Sequence, residues 1–360
     1  MNVKRINIFQ IRAILITVTT GIGLITLPRV LAKETSTTSW LPMLLGLILI
    51  LIISYFILKL LNHFPNSDIY EISKNVLGKY ISIIVCLLFI SYFILVSSST
   101  VRFTTDVVNI WMLPLTPMKV IILTLLTIAS YICFKKIETL GRFCTVFLIF
   151  NVLSVVLVLF FTFPSLKEYN LRPFFHTNLS HLFRSTKASL LSLLGIETLF
   201  IFNKFISDKI NIKPTIYKSI IFIGLLYVLL VEFTIGYFGI DQVKVLVFPV
   251  ISLFKTIEIR FFIFERVELF FLTLWLTAAF TTISIYYYCG FYLLTKILPK
   301  RLSRLVLPFY LVITYLLAQY PQNNEDTIKL LNLAGNTGII LSTSITLLLL
   351  IIIKLRGANK

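Results

Sequence analysis

Three groups of residues in this sequence could do chemistry inside a membrane. The first is the run Thr19-Thr20-Gly21-Ile22-Gly23-Leu24-Ile25-Thr26-Leu27-Pro28-Arg29, an apolar segment interrupted by a glycine pair, threonines, a proline and an arginine. Glycine weakens a helix interior, and a broken helix at membrane depth survives only where the freed backbone is buried in protein or lines a cavity. A half-helix starting at Gly21 to Gly23 would point backbone N–H groups and the positive end of its dipole at an anion, for which a carboxylate is the natural guest. Thr20, with Thr19 and Thr26, could add hydroxyl donors. The same glycines could instead serve only to let helices approach closely. The second group is Gly195-Ile196-Glu197, a second glycine break with a carboxylate beside it. An intramembrane acid is costly and is a functional candidate by default. Glu197 could accept an ammonium, carry a proton, or form a structural ion pair. The third group is made of hydroxyl stripes: Tyr92, Ser97, Ser98 and Ser99 in one segment, and Thr273, Thr277, Thr281 and Ser284 at helical spacing in another. Such stripes line a polar path or hydrogen-bond a neighbouring helix. Arg29 reads as an interfacial or interhelical anchor. Glu265-Arg266-Val267-Glu268 reads as charge near the outer interface or paired within the bundle.

Enzymatic chemistry has little to stand on. His63, His176 and His181 lie away from the centres of the apolar segments with no metal-ligand spacing, and no GxSxG, Walker A or dinucleotide fingerprint occurs. Cys86, Cys133, Cys144 and Cys289 lack CxxC spacing and read as small buried hydrophobes. No metal and no cofactor is expected.

The elements that must position these residues are membrane spans. Of 360 residues, 58% are hydrophobic and 13% charged, with a mean hydropathy of +0.96; soluble domains carry about 25% charged residues. Ten apolar segments run over about 8–31, 41–61, 81–101, 119–134, 143–163, 187–203, 216–238, 265–294, 304–320 and 336–353. About 20 residues cross the hydrocarbon core, so the fourth and ninth are short. The expectation is an all-α polytopic membrane protein forming a single transmembrane domain over 1–360. Lys4 and Arg5 ahead of the first segment mimic a signal peptide, but the run ends in Pro28-Arg29 without a small-x-small site and reads as a retained span. The formal charge of +18 comes from loop lysines and arginines. They are denser on the side of the amino terminus, as at Lys204, Lys209, Lys213 and Lys218, which places both termini inside. Such charge meets anionic membrane lipids; no nucleic-acid motif accompanies it.

Two long connections carry helix signals. Asp68-Ile69-Tyr70-Glu71 is a capping start within Pro65–Gly78, and Pro249 opens an apolar stripe within Phe248–Phe262. They precede the third and eighth segments, five apart and on opposite faces. The two glycine breaks, in the first and sixth segments, are also five apart. An inverted repeat of five plus five, about 1–163 and 185–355, accounts for both pairs.

The chain resembles the B-subunit family of GerA-type spore germinant receptors, the spore permease branch of the amino acid–polyamine–organocation transporters. The residues that carry the likeness are Asn7-Ile8-Phe9-Gln10, the run from Gly21 to Pro28-Arg29, Leu171-Arg172-Pro173-Phe174, Gly195-Ile196-Glu197, Phe248-Pro249, Glu265-Arg266-Val267-Glu268 and Trp275. The likeness spans essentially the whole chain. It implies a leucine-transporter-like fold with broken first and sixth helices, a nutrient germinant, commonly an amino acid, as ligand, and residence in the spore inner membrane beside A-type and C-type subunits. Carried over by position, it puts the germinant carboxylate on the amides around Gly21 to Gly23. The amine would meet carbonyls near Gly195 or the carboxylate of Glu197. The expected binding residues are Thr20, Gly21, Ile22, Gly23, Tyr92, Ser98, Gly195, Ile196, Glu197, Thr281 and Ser284. Some relatives place a sodium ion by the stripe of the eighth segment; nothing in this sequence supports sodium dependence.

Overall fold

The glycine-interrupted first segment folds as two helices, α1 (Ile8–Thr19) and α2 (Gly23–Thr35), with the chain bent by 47° across the break. This is a computed structural model, and it describes residues 5–135, 137–175, 177–208, 210–256 and 267–356. A capping box starts α1: Asn7 accepts from the Gln10 amide, and Gln10 accepts from the Asn7 amide. There follow α3 (Trp40–His63), α4 (Ile69–Leu77), α5 (Lys79–Trp111), α6 (Met118–Cys133) and α7 (Ile137–Thr162). The second broken segment is α8 (Leu179–Ser192), a 3-10 turn at Ile196–Thr198 and α9 (Leu199–Phe202), with a 42° bend. The chain continues through α10 (Ile212–Phe238), α11 (Ile240–Val245), α12 (Pro249–Thr256), α13 (Val267–Ile297), α14 (Ser303–Gln319) and α15 (Asn324–Leu355).

Six of these helices are long and apolar enough to cross a bilayer, the two bent pairs add two more, and α6 and α14 are shorter apolar helices. Among the described residues there is no strand, only one bridge between Ile6 and Ile206. The protein is an all-α, polytopic, integral membrane protein, in keeping with its composition.

Two helices outrun their hydropathy. The sequence places the third segment's end near 101 and the tenth's start near 336, whereas α5 continues to Trp111 and α15 begins at Asn324. The extra turns carry polar residues that satisfy one another. Arg102 Nε donates to Asp106 at 2.8 Å, and Thr327 Oγ1 of α15 donates to the same carboxylate at 2.8 Å. A hydropathy window sees only the charge.

Both connections that read as helical are helical where described. Asp68 and Glu71 form the expected capping box of α4. α12 covers the first half of the Phe248–Phe262 connection, and its second half lies outside the described residues. So do Lys4, Lys136, His176, Lys209, Glu265 and Arg266. At the face carrying the amino terminus, α4 is tied down by charge. Lys296 of α13 and Lys204 just after α9 both contact Asp68 and Glu71, and Tyr292 donates to Asp68 at 2.8 Å. Burial pushes the Glu71 carboxyl up, but hydrogen bonds from Lys204 and Lys296 outweigh it and hold it below its ordinary value. All four cysteines are buried and free.

Candidate ligand site

The break in the first segment is held by donors from distant helices. The end of α1 frees backbone carbonyls, which must find partners in the absence of water. Thr282 of α13 donates to the Thr17 carbonyl at 3.0 Å, Tyr227 of α10 to Thr19 at 2.8 Å, and the Trp275 indole of α13 to Gly21 at 2.8 Å. A Cβ on Gly21 would sit 2.5 Å from Thr282 Oγ1, so glycine is what lets α13 approach. The amide N–H groups on the other side of the break stay open: among the described residues nothing accepts from Gly21, Ile22 or Gly23.

The second break packs on the first. Gly195 adopts φ of +142°, a conformation L side chains rarely hold, and a Cβ there would lie 2.5 Å from Val18 Cγ1. Glu197, fully buried, folds back on this turn. Its Oε2 accepts from the Gly195 amide at 2.8 Å, and its Oε1 accepts from Tyr92 at 2.8 Å and Tyr286 at 2.9 Å. No described lysine or arginine pairs with it. The carboxylate therefore ties α5 and α13 to the turn between α8 and α9.

Next to the two breaks lies a cavity of about 190 Å³ between α2, α5, α8, α13 and α15. Thr19, Ile22, Gly23, Ser192 and Leu194 line its inner part, with Tyr92, Ser99, Thr100, Thr282 and Tyr286 from the flanking helices. Arg29, Asn324 and Asn332 line it farther along α2 and at the start of α15. The hydroxyl protons around it are already committed. Thr19, Ser99, Thr100 and Ser192 donate to carbonyls of their own helices, Thr282 to Thr17, and both tyrosines to Glu197. A hydroxyl has one proton and two lone pairs, so these oxygens are left as acceptors.

Comparison with known proteins bears on what such a cavity serves. The family described as spore germination protein matches residues 5–327. The chain belongs to the spore permease family. It is 26% identical over 354 residues to the spore germination protein YndE of Bacillus subtilis, covering 98% of this chain and 97% of that protein. It is 30% identical over 288 residues to spore germination protein A2 of the same organism, covering 79% and 78%. To the spore germination protein GerQB of Bacillus cereus it is 25% identical over 335 residues, covering 91% and 89%. This membership sets the chain among germination proteins of permease type and apart from enzymes.

In this spore permease the residues singled out from sequence fall into two sets. Ile22, Gly23 and Tyr92 line the cavity. Thr20, Gly21, Gly195, Ile196 and Glu197 are buried at or behind the breaks. Ser98, Thr281 and Ser284 are buried and donate to their own helices, while their neighbours Ser99, Thr100 and Thr282 face the cavity. One residue is about 100° on a helix, and a run such as Ser97-Ser98-Ser99-Thr100 contains no mark of which member points inward. Sequence reasoning also missed Tyr286, Tyr227, Asn324 and Asn332. The run Tyr286-Tyr287-Tyr288 within an apolar span was a usable signal, since buried tyrosines need partners for their hydroxyls.

Proposed function

We propose that this chain is the ligand-binding subunit of a nutrient germinant receptor and that its guest is a compact amino acid held beside the two helix breaks. The observation that carries this reading is the chemical asymmetry of the cavity. Unbonded amides at Ile22 and Gly23 suit a carboxylate. The hydroxyl oxygens of Thr19, Ser99, Thr100 and Ser192, with protons committed elsewhere, suit an ammonium, as does the Ser192 carbonyl at the end of α8, to which no described residue donates. The volume of about 190 Å³ is below the ~300–1,000 Å³ of drug-sized pockets, which favours a small zwitterion.

The reading includes a leucine-transporter-like inverted repeat, about 1–163 and 185–355, within one transmembrane domain. Bends in the first and sixth segments support it, as do the short helices α4 and α12 ahead of α5 and α13. It also includes a spore inner-membrane location with both termini cytoplasmic, and A-type and C-type subunits as partners. Ligand binding shifts the chain between states by its differential affinity for them, and the partners read the shift. Glu197, Tyr92 and Tyr286 hold the second break in place around the guest, with Thr20, Gly21, Ser98, Ile196, Thr281 and Ser284 supporting the walls.

The test has two parts. Spores lacking this chain are challenged nutrient by nutrient, and the purified chain is melted with each amino acid and with the matching amine that lacks a carboxylate. A bound ligand at 100 times its Kd stabilises by about 2.7 kcal/mol. The expected result is loss of response to at least one amino acid, which also raises the unfolding temperature while its amine does not. Normal germination with every nutrient, or no stabilisation by any amino acid, overturns the reading.

A further inference from the structure

The cavity is lined by an arginine that forms no ion pair with any described residue. Arg29 lies on α2, six residues beyond Gly23, or about 9 Å along the helix at 1.5 Å per residue. Its only hydrogen bond among the described residues runs from Nε to the Lys244 carbonyl, at a long 3.5 Å. No described acid pairs with it, and no described aspartate or glutamate lines the cavity. Beside this end of the cavity, Asn324 Oδ1 is buried without a partner. The charges nearest to it on α2 are Lys33 and Glu34, the latter 3.0 Å from His181 Nδ1; α11 adds Lys244 and an exposed Asp241.

A guanidinium in a low-dielectric wall is costly to leave without partners, and Arg29 has one long contact to a carbonyl and no described acid. Here no described acid neutralises the charge, along a cavity whose other end is the N-terminus of α2, also electropositive. Both ends favour a negative group; between them lie hydroxyl lone pairs, with the Glu197 carboxylate behind Tyr92 and Tyr286. Clefts with low-dielectric walls focus such a field and change the local concentration of charged solutes by 10-fold or more.

We propose that Arg29 is the specificity-determining residue for charge: it draws carboxylate-bearing guests into the cavity and holds out organic cations that lack a carboxylate. This rests on the reading of the cavity as the ligand site. Asn324 and Asn332 complete the subsite, with amide groups able to receive a donor beside the carboxylate. The guest passes Arg29 before its carboxylate reaches the amides at Ile22 and Gly23.

The field can be measured without knowing the ligand. The four native cysteines are buried, so a Leu331→Cys change in the full chain puts a reporter thiol on the cavity wall. Its reaction rate is measured with a sulfonate-bearing and a trimethylammonium-bearing methanethiosulfonate, alone and combined with Arg29→Gln or Arg29→Lys. The expected result is that Arg29→Gln lowers the anion-to-cation rate ratio about tenfold, while Arg29→Lys, which keeps the charge, leaves it near the parent. An unchanged ratio in Arg29→Gln, or a thiol that neither reagent reaches, overturns the proposal. The same proteins are melted with the amino acid panel. A tenfold fall in the ratio without stabilisation by any amino acid upholds the field and sinks the ligand reading. An unchanged ratio with normal stabilisation does the reverse.

Discussion

Replacing Glu197 with glutamine keeps the size of the side chain and removes one acceptor. In the native arrangement two tyrosine hydroxyls converge on Oε1 and the Gly195 amide donates to Oε2, all shielded from water. Glutamine offers one acceptor oxygen and one donor nitrogen. With the oxygen toward the tyrosines, the new NH2 group faces the Gly195 N–H, donor against donor. With the oxygen turned to Gly195, both tyrosines lose their partner. The cheaper orientation leaves the Gly195 N–H and the new NH2 group both without acceptors, at about 1–3 kcal/mol for each group. Tyr92→Phe removes a donor and leaves the carboxylate two others, for about 1 kcal/mol. Because Tyr92 and Glu197 touch, the double variant departs from additivity by at least about 0.5 kcal/mol. The assay is thermal unfolding of the purified chain in detergent, run as a double-mutant cycle. The expected outcome is a lower melting temperature for Glu197→Gln than for Tyr92→Phe. A Glu197→Gln protein that melts with the parent, or strict additivity, refutes the three-donor account of this acid.

Other changes have equally definite outcomes. Gly21→Ala drives a methyl group against Thr282, 2.5 Å away, and is expected to cost about 1–3 kcal/mol; adding Thr282→Ala recovers part of the melting temperature. Trp275→Phe keeps the packing but orphans the Gly21 carbonyl, for about 1–3 kcal/mol in the same measurement. The folded pKa of Glu71 lies below its ordinary value of 4.5. Its contribution is therefore complete above that value and is lost as pH falls through the lowered folded value. Hydrogen exchange in α4 is expected to accelerate in that acid range, and Glu71→Gln removes the pH dependence.

Much of the frame was legible because it rests on local signals. A glycine pair in one apolar run and the lone Gly195 beside Glu197 in another announced the two breaks, and the Asp68 to Glu71 spacing announced the start of α4. The extension of α5 and α15 was hidden because Arg102, Asp106 and Thr327 answer one another across more than 200 positions of chain. The same holds at the first break, where Trp275, Thr282 and Tyr227 arrive from far away in sequence. Thr19, Thr20 and Thr26 looked like donors for a guest, but their protons go to carbonyls of the preceding turn. Arg29 read as an interfacial or interhelical anchor, and its Nε does reach the Lys244 carbonyl of α11; that it also lines the cavity has no mark in the sequence.

The charges clustered on Asp68 and Glu71 have a consequence for dryness. Lys204 and Lys296 join the sixth and eighth apolar segments to α4 through groups only partly screened from solvent. The strength of such contacts varies inversely with the local dielectric constant. Withdrawing water from that face tightens the hasp, and wetting it loosens the hasp, with no change in any residue. The hold of α13 and of the chain after α9 on α4 therefore depends on how wet that one face is.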